Sequence, residues 1–192
     1  MAPNGENTMP PNLGIALNDK GALDGPIAEY RTAILLQPDF GAAHYNLGEA
    51  LRRKGDLDEA FAEYRTAIRL QPNEADAHNN FGLVLSKKGD WDGAIVEYRA
   101  AIRLKPDHAA AHNNIGNALR KKGDWNEAIA EYHTAICLQP DDAGAHNNLG
   151  LTLEIKGDRR SAIEEFSTAY LLDPKNATIA QQYKRLVREV KQ

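Results

Sequence analysis

Four histidines occupy one address in this chain, His44, His78, His112 and His146, each 34 residues from the next. Imidazole is the commonest side-chain ligand for transition metals, so such a row raises the question of a metal. The spacing answers it. Residues one period apart lie on successive helices whose axes are about 8 to 10 Å apart, whereas a zinc-bound nitrogen sits about 2 Å from the ion. The row therefore reads as packing and hydrogen bonding, with no metal and no other cofactor, and His108 and His133, outside it, read as surface or edge residues. A second row consists of amides: Asn12, Asn46, Asn80, Asn114 and Asn148 recur at the same interval, preceded in three units by Asn79, Asn113 and Asn147. Asparagine is a mediocre helix former that favours caps, yet these lie well inside predicted helices. An amide both donates and accepts, so a file of them on one face can hold the backbone of an extended peptide whatever its side chains. One Asn of each pair can instead satisfy a buried group between repeats, and the two roles are compatible.

No group is arranged for catalysis. Ser86, Ser161 and Ser167 lack the nucleophile-elbow context, and the glycines are too regularly dispersed for a phosphate loop or a dinucleotide fingerprint. Asp56, Asp90, Asp124 and Asp158 each precede an apolar helical run and read as caps; Asp56 with Glu59, and Asp124 with Glu127, have the spacing of a capping box. The pattern Asn176-Ala177-Thr178 is a formal glycosylation acceptor and reads as incidental.

The elements that carry these rows follow from the period. Pro38, Pro72, Pro106, Pro140 and Pro174 form a ladder of 34-residue steps, as do Gly14, Gly48, Gly82, Gly116 and Gly150, and Gly21, Gly55, Gly89, Gly123 and Gly157. A period of this length means stacked supersecondary units rather than one closed core. Each unit holds two amphipathic helices, the first with the Asn and a mid-helix Gly, the second ending before the Pro. Glycine inside a helix costs about 0.5 to 1 kcal/mol relative to Ala, so its repetition predicts a neighbouring helix too close for a Cβ. Residues 1–11, with three Pro, read as a disordered arm, and residues 12–20 leave room only for a short first helix. After Pro174, the stripe Ile179, Tyr183, Leu186, Val187 and Val190 predicts a capping helix whose glycine position holds Lys184.

Composition narrows the function classes. The 192 residues carry 23 basic and 27 acidic side chains, well mixed, for a net charge of −4, which speaks against nucleic acid. Cys137 is the single cysteine, which suits a reducing, cytoplasmic setting. No apolar run is long enough to span a membrane, and the start has no secretory pattern.

The marks Leu47, Gly48, Leu51, Gly55, Asp56, Ala60, Tyr64, Ala67, Leu70 and Pro72, repeated as Phe81, Gly82, Leu85, Gly89, Asp90, Ala94, Tyr98, Ala101, Leu104 and Pro106, resemble the tetratricopeptide repeat (TPR). The resemblance implies an all-α, right-handed α–α superhelix. It divides the chain into the arm 1–11 and one solenoid over 12–190: a partial unit 7–40, units 41–74, 75–108, 109–142 and 143–176, and a cap at 177–190. The block "AHNNIGNALRKKGDWNEAIAEYHTAI" is similar to the peptide-holding repeats of O-linked N-acetylglucosamine transferases and to related bacterial TPR proteins. That likeness implies a backbone-gripping role for Asn46, Asn80, Asn114 and Asn148, with Asn79, Asn113 and Asn147 beside them. Leu83 and Leu151 offer apolar pockets, and Lys87 and Lys121 belong to a cluster at the first-helix ends, with Arg52, Arg53, Lys88, Arg120 and Lys122, that reads as solvated charge complementing the helix dipole or as a means of steering an acidic partner. The family's carboxylate clamp is not expected, because its lysine places hold Ala42, Asp76, Ala110 and Gly144. The expected function is a non-catalytic scaffold for an extended peptide or protein segment. Two alternatives stand beside it: a structural protein that self-assembles through its uncapped N-terminal end, and the substrate-recognition domain of a larger glycosyltransferase-like enzyme.

Overall fold

A computed structural model describes residues 23–190, and the chain divides into two compact units, Met1–Pro72 and Asn73–Gln192. The predicted arm at 1–11, the short helix at 12–20 with Asn12, and the N-terminal end expected to self-associate lie outside the described residues. Among those that are described, every regular element is an α-helix. The first unit contains α1 (Asp24–Leu36), α2 (Gly41–Lys54) and α3 (Leu57–Leu70). The second contains α4 (Ala75–Lys87), α5 (Trp91–Leu104), α6 (Ala109–Lys122), α7 (Trp125–Leu138), α8 (Ala143–Ile155), α9 (Arg159–Leu172) and α10 (Ala177–Val190). Within each unit a helix packs on its sequence neighbours through short connections, which makes adjacent helices antiparallel. In the second unit α4 also meets α6, and α6 meets α8, so the first helices of successive repeats form a layer of their own.

The core is built from small residues and one ring per repeat. Ala94, Tyr98 and Ala101 of α5 are buried against Phe81, Gly82 and Leu85 of α4, and the same set recurs along the chain. The predicted close approach is present, and its agent is an aromatic ring. A Cβ on Gly82 would stand 2.5 Å from the Tyr98 ring, one on Gly116 2.6 Å from Tyr132, and one on Gly150 2.9 Å from Phe166. Between the two helices of a repeat the chain reverses through Gly55, Gly89, Gly123 or Gly157 at φ between 84° and 101°, a region that L side chains rarely adopt.

The caps depart from expectation in an instructive way. Asp90 and Asp158 accept from the backbone N–H of Gly93 (2.9 Å) and Ser161 (3.1 Å). Asp56 and Asp124, the two with capping-box spacing, make no such bond. The difference lies three residues on: Gly93 and Ser161 are small and uncharged, whereas Glu59 and Glu127 would place a second carboxylate beside the capping one. Asp56 and Asp124 instead lie 3.6 and 3.9 Å from Lys54 and Lys122. Asp24 is inside the first turn of α1, 2.9 Å from Lys54 Nζ. His108 is not a surface residue: it is 9% exposed and caps α6 by accepting from the Ala111 N–H at 3.3 Å.

The last described helix packs on α9. Ile179 and Leu186 of α10 are buried, Tyr183 stacks on Tyr170 with ring centroids 5.6 Å apart, and Lys184 is exposed. Asn176 caps this helix by accepting from the N–H groups of Thr178 and Ile179, so its amide serves the fold.

Gly82→Leu is expected to lower unfolding free energy by at least about 1 to 3 kcal/mol through overpacking against Tyr98, measured by denaturant unfolding of the full chain. An unchanged midpoint would show that the ring has room to move.

Candidate functional site

The two rows read from the sequence have distinct structural roles. In each of four repeats a histidine Nδ1 faces the glutamate 19 positions on: His44 with Glu63 (2.6 Å), His78 with Glu97 (2.7 Å), His112 with Glu131 (2.7 Å) and His146 with Glu165 (2.6 Å). These pairs tie the first helix of a repeat to its second. On the other side of the ring, Nε2 of His44 lies 3.0 Å from the Pro38 carbonyl oxygen and that of His146 3.1 Å from that of Pro140, so the same side chain reaches back to the preceding turn. The imidazoles are thus engaged as braces, as the spacing implied.

The amides form a ladder between repeats of the second unit. Asn114 Nδ2 donates to Asn79 Oδ1 at 3.0 Å, and Asn148 Nδ2 donates to Asn113 Oδ1 at 3.1 Å, each bond linking residues 35 apart. Asn79 in turn donates to Asn80 Oδ1 at 3.3 Å. The 35-residue register carries Asn147 to Gln182 on the capping helix, and Asn147 Oδ1 and Gln182 Oε1 are both buried acceptors without a donor. Turning the Gln182 amide about its last bond exchanges its oxygen for a donor, the arrangement the two bonded rungs already have. In the first unit Asn46 is half-buried on α2.

Above the ladder lies an open groove of about 520 Å³, between α4, α5 and α6. Leu83, Ser86 and Lys87 line it from α4, Trp91 and Tyr98 from α5, and Asn114, Asn117, Ala118, Arg120 and Lys121 from α6. Five of the residues singled out from sequence, Leu83, Lys87, Asn114, Arg120 and Lys121, are brought together here. Asn79, Asn80, Asn113, Asn147 and Asn148 stand on the same layer of first helices without lining this groove. Sequence reasoning missed Trp91, Asn117 and Tyr98, the last of which it named only as a mark of the repeat. The signal for Asn117 was its distance of 15 residues from Tyr132, whose hydroxyl donates to it at 2.9 Å.

Each ring hydroxyl meets a side chain on the first helix of its own repeat. Tyr64 donates to Glu49 at 2.9 Å, Tyr98 lies 3.0 Å from Ser86 Oγ, and Tyr132 donates to Asn117. Where Phe166 replaces tyrosine, Leu151 takes the place of Glu49 or Asn117. Burial pushes the Tyr64 and Tyr132 phenols above the ordinary tyrosine value, with the Glu49 carboxylate adding at Tyr64, so both remain neutral donors. The described residues contain no cluster of ligands suited to a metal, and no described helix is long and apolar enough to cross a membrane.

Family profiles described as TPR repeat match residues 14–55, 48–89, 82–121 and 116–157, and a tetratricopeptide repeat profile matches 143–176. The chain belongs to the tetratricopeptide repeat family. Its TPR fold is similar to that of MamA, at 25% identity over 85% of this chain and 98% of that one, with a TM-score of 0.74. It is also similar to YrrB, described as a TPR protein with an unusual peptide-binding site, at 25% identity over 86% of this chain and 84% of that one, TM-score 0.70. The pilF protein of Pseudomonas aeruginosa shares the fold at 24% identity, over 86% of this chain and 71% of its own, TM-score 0.72. No curated protein matches the sequence.

The rung between Asn79 and Asn114 gives a double-mutant test. Alanine at both positions is expected to show a coupling of about 0.5 to 1.5 kcal/mol in denaturant unfolding. Strict additivity would mean that the bond does not hold the repeats together.

Proposed function

We propose that the TPR repeats hold an extended peptide or protein segment along their first helices, without catalysis. The observation that carries this reading is the α4–α6 groove, where an apolar side chain, an amide and two lysines chosen from sequence alone line one cavity. The YrrB likeness supports it, since that protein is a TPR protein with a peptide-binding site. On this reading the amide file works as the resemblance to O-linked N-acetylglucosamine transferase repeats implies, through the peptide backbone. The ladder sharpens how. Asn114 and Asn148 spend a nitrogen on the rung below, which leaves their side-chain oxygens to accept N–H groups from a bound strand. Asn80 contributes in the second unit, and Asn46 is the corresponding residue of the first. The exposed free thiol of Cys137 supports a reducing, cytoplasmic setting.

Replacing Asn80 and Asn114 together by alanine tests the grip. Peptides selected from a random library against the native chain are expected to bind the double variant about fivefold to a hundredfold more weakly, since each hydrogen bond lost counts about 0.5 to 1.5 kcal/mol. The helical circular dichroism and a cooperative melt should persist. Undiminished peptide binding by a folded double variant would remove the amides from the proposal.

A further inference from the structure

Basic side chains at the ends of the first helices fall into two groups. Lys122 is held by Asp92 at 2.6 Å, Arg52 by Glu49 at 2.7 Å, and Lys54 by Asp24 at 2.9 Å. Lys87 and Lys121, both exposed on the groove, have no carboxylate within ion-pair distance among the described residues. Between them, half-buried Arg120 has its Nε sequestered from solvent without an acceptor. Three cations therefore surround one cavity whose lining contains no acidic residue. A buried guanidinium donor left unpaired is costly, and the missing acceptor is the one a carboxylate supplies.

One repeat further along, the same addresses carry different chemistry. Glu154 stands where Arg120 does, and both its oxygens are held by Arg185 at 2.8 Å. Ile155, 50% exposed, stands where Lys121 does, and Leu151 where Asn117 does. Successive first helices lie about 8 to 10 Å apart and an extended strand advances about 3.3 Å per residue, so neighbouring addresses meet side chains about three residues apart.

We infer that the α4–α6 groove selects an acidic side chain of the bound segment, received by Lys87, Arg120 and Lys121, with an apolar residue about three positions away over Leu151 and Ile155. This rests on the peptide-holding reading and adds to it the chemistry and register of the ligand. The carboxylate is internal rather than a chain end, because the amide file continues past the groove through Asn147 and Asn148 and the strand runs on along it.

Selection from a random linear peptide library, run on the full chain and followed by fluorescence anisotropy, tests this. Enriched peptides should contain Asp or Glu with an apolar residue about three positions away, and exchanging that acid for its amide should weaken binding roughly tenfold. In the Lys87→Gln/Lys121→Gln variant this acid-to-amide ratio should fall to about two or less, whereas Lys122→Gln, outside the groove, should leave it unchanged. Enrichment of peptides without acidic residues overturns the inference and leaves the peptide-holding reading standing. Acidic preference confined to a free C-terminus overturns the internal assignment, and a wild-type chain that enriches no peptide overturns both readings.

Discussion

In the second unit an aromatic ring from the second helix of each repeat occupies the space a Cβ would fill on the first. Tyr98, Tyr132 and Phe166, fully or almost fully buried, sit over Gly82, Gly116 and Gly150, and Tyr64 sits over Gly48 in the same way in the first. The glycine costs the helix about 0.5 to 1 kcal/mol, and burying the ring returns more than that, because a large aromatic dominates the energetics of a core made otherwise of alanines. Once the ring is there, its hydroxyl cannot be left unpaired. It must find an acceptor on the first helix, and this requirement reaches the surface as Glu49, Ser86 or Asn117. The Tyr98 repeat, with Leu83 at the address of Glu49 and Asn117, meets it through Ser86, and the Phe166 repeat has no hydroxyl to satisfy. Part of the groove's polarity is therefore written by the core.

The two sets of braces act on different joints of the stack. Each histidine–glutamate pair joins the two helices within a repeat, while the rungs Asn114 to Asn79 and Asn148 to Asn113 join first helices of successive repeats. A stack of helical hairpins has little else to fix how far one slides past the next, since its alanine-rich surfaces are smooth. Directional hydrogen bonds between half-buried side chains supply that register. They also explain why asparagine is tolerated in mid-helix at these addresses, where propensity alone would disfavour it.

The period, the glycine–ring contact and the capping helix were legible because each follows from residue type and spacing alone. The two capping boxes were misread because Asp stands where the motif needs Ser or Thr. Asp56 and Asp124 face Glu59 and Glu127, and two carboxylates cannot share one helix start as a hydroxyl and a carboxylate can. His108 was misread as an edge residue because nothing in its neighbours announces that a histidine nitrogen will cap a helix. The composition of the groove was half legible. Its first-helix members follow from the repeat, but Trp91 and Tyr98 enter from the second helix, and only packing determines that they reach the same cavity.

These observations separate the positions of a repeat by what constrains them. Glycine, ring, alanines, histidine and glutamate recur because each has a partner inside the stack, and a change in one unit breaks a contact in that unit. The last turn of the first helix has no recurring partner, so at one address Ser86 meets the Tyr98 hydroxyl, Glu154 meets Arg185, and Arg120 keeps an unpaired Nε. Where one of these is satisfied within the fold, as Glu154 is by Arg185, it contributes to stability and withdraws from recognition. Where it is not, as at Lys87, Lys121 and the Nε of Arg120, its charge is left to face whatever enters the groove. In a repeat protein the residues that recur describe the scaffold, and those that fail to recur, left without an internal partner, describe the ligand.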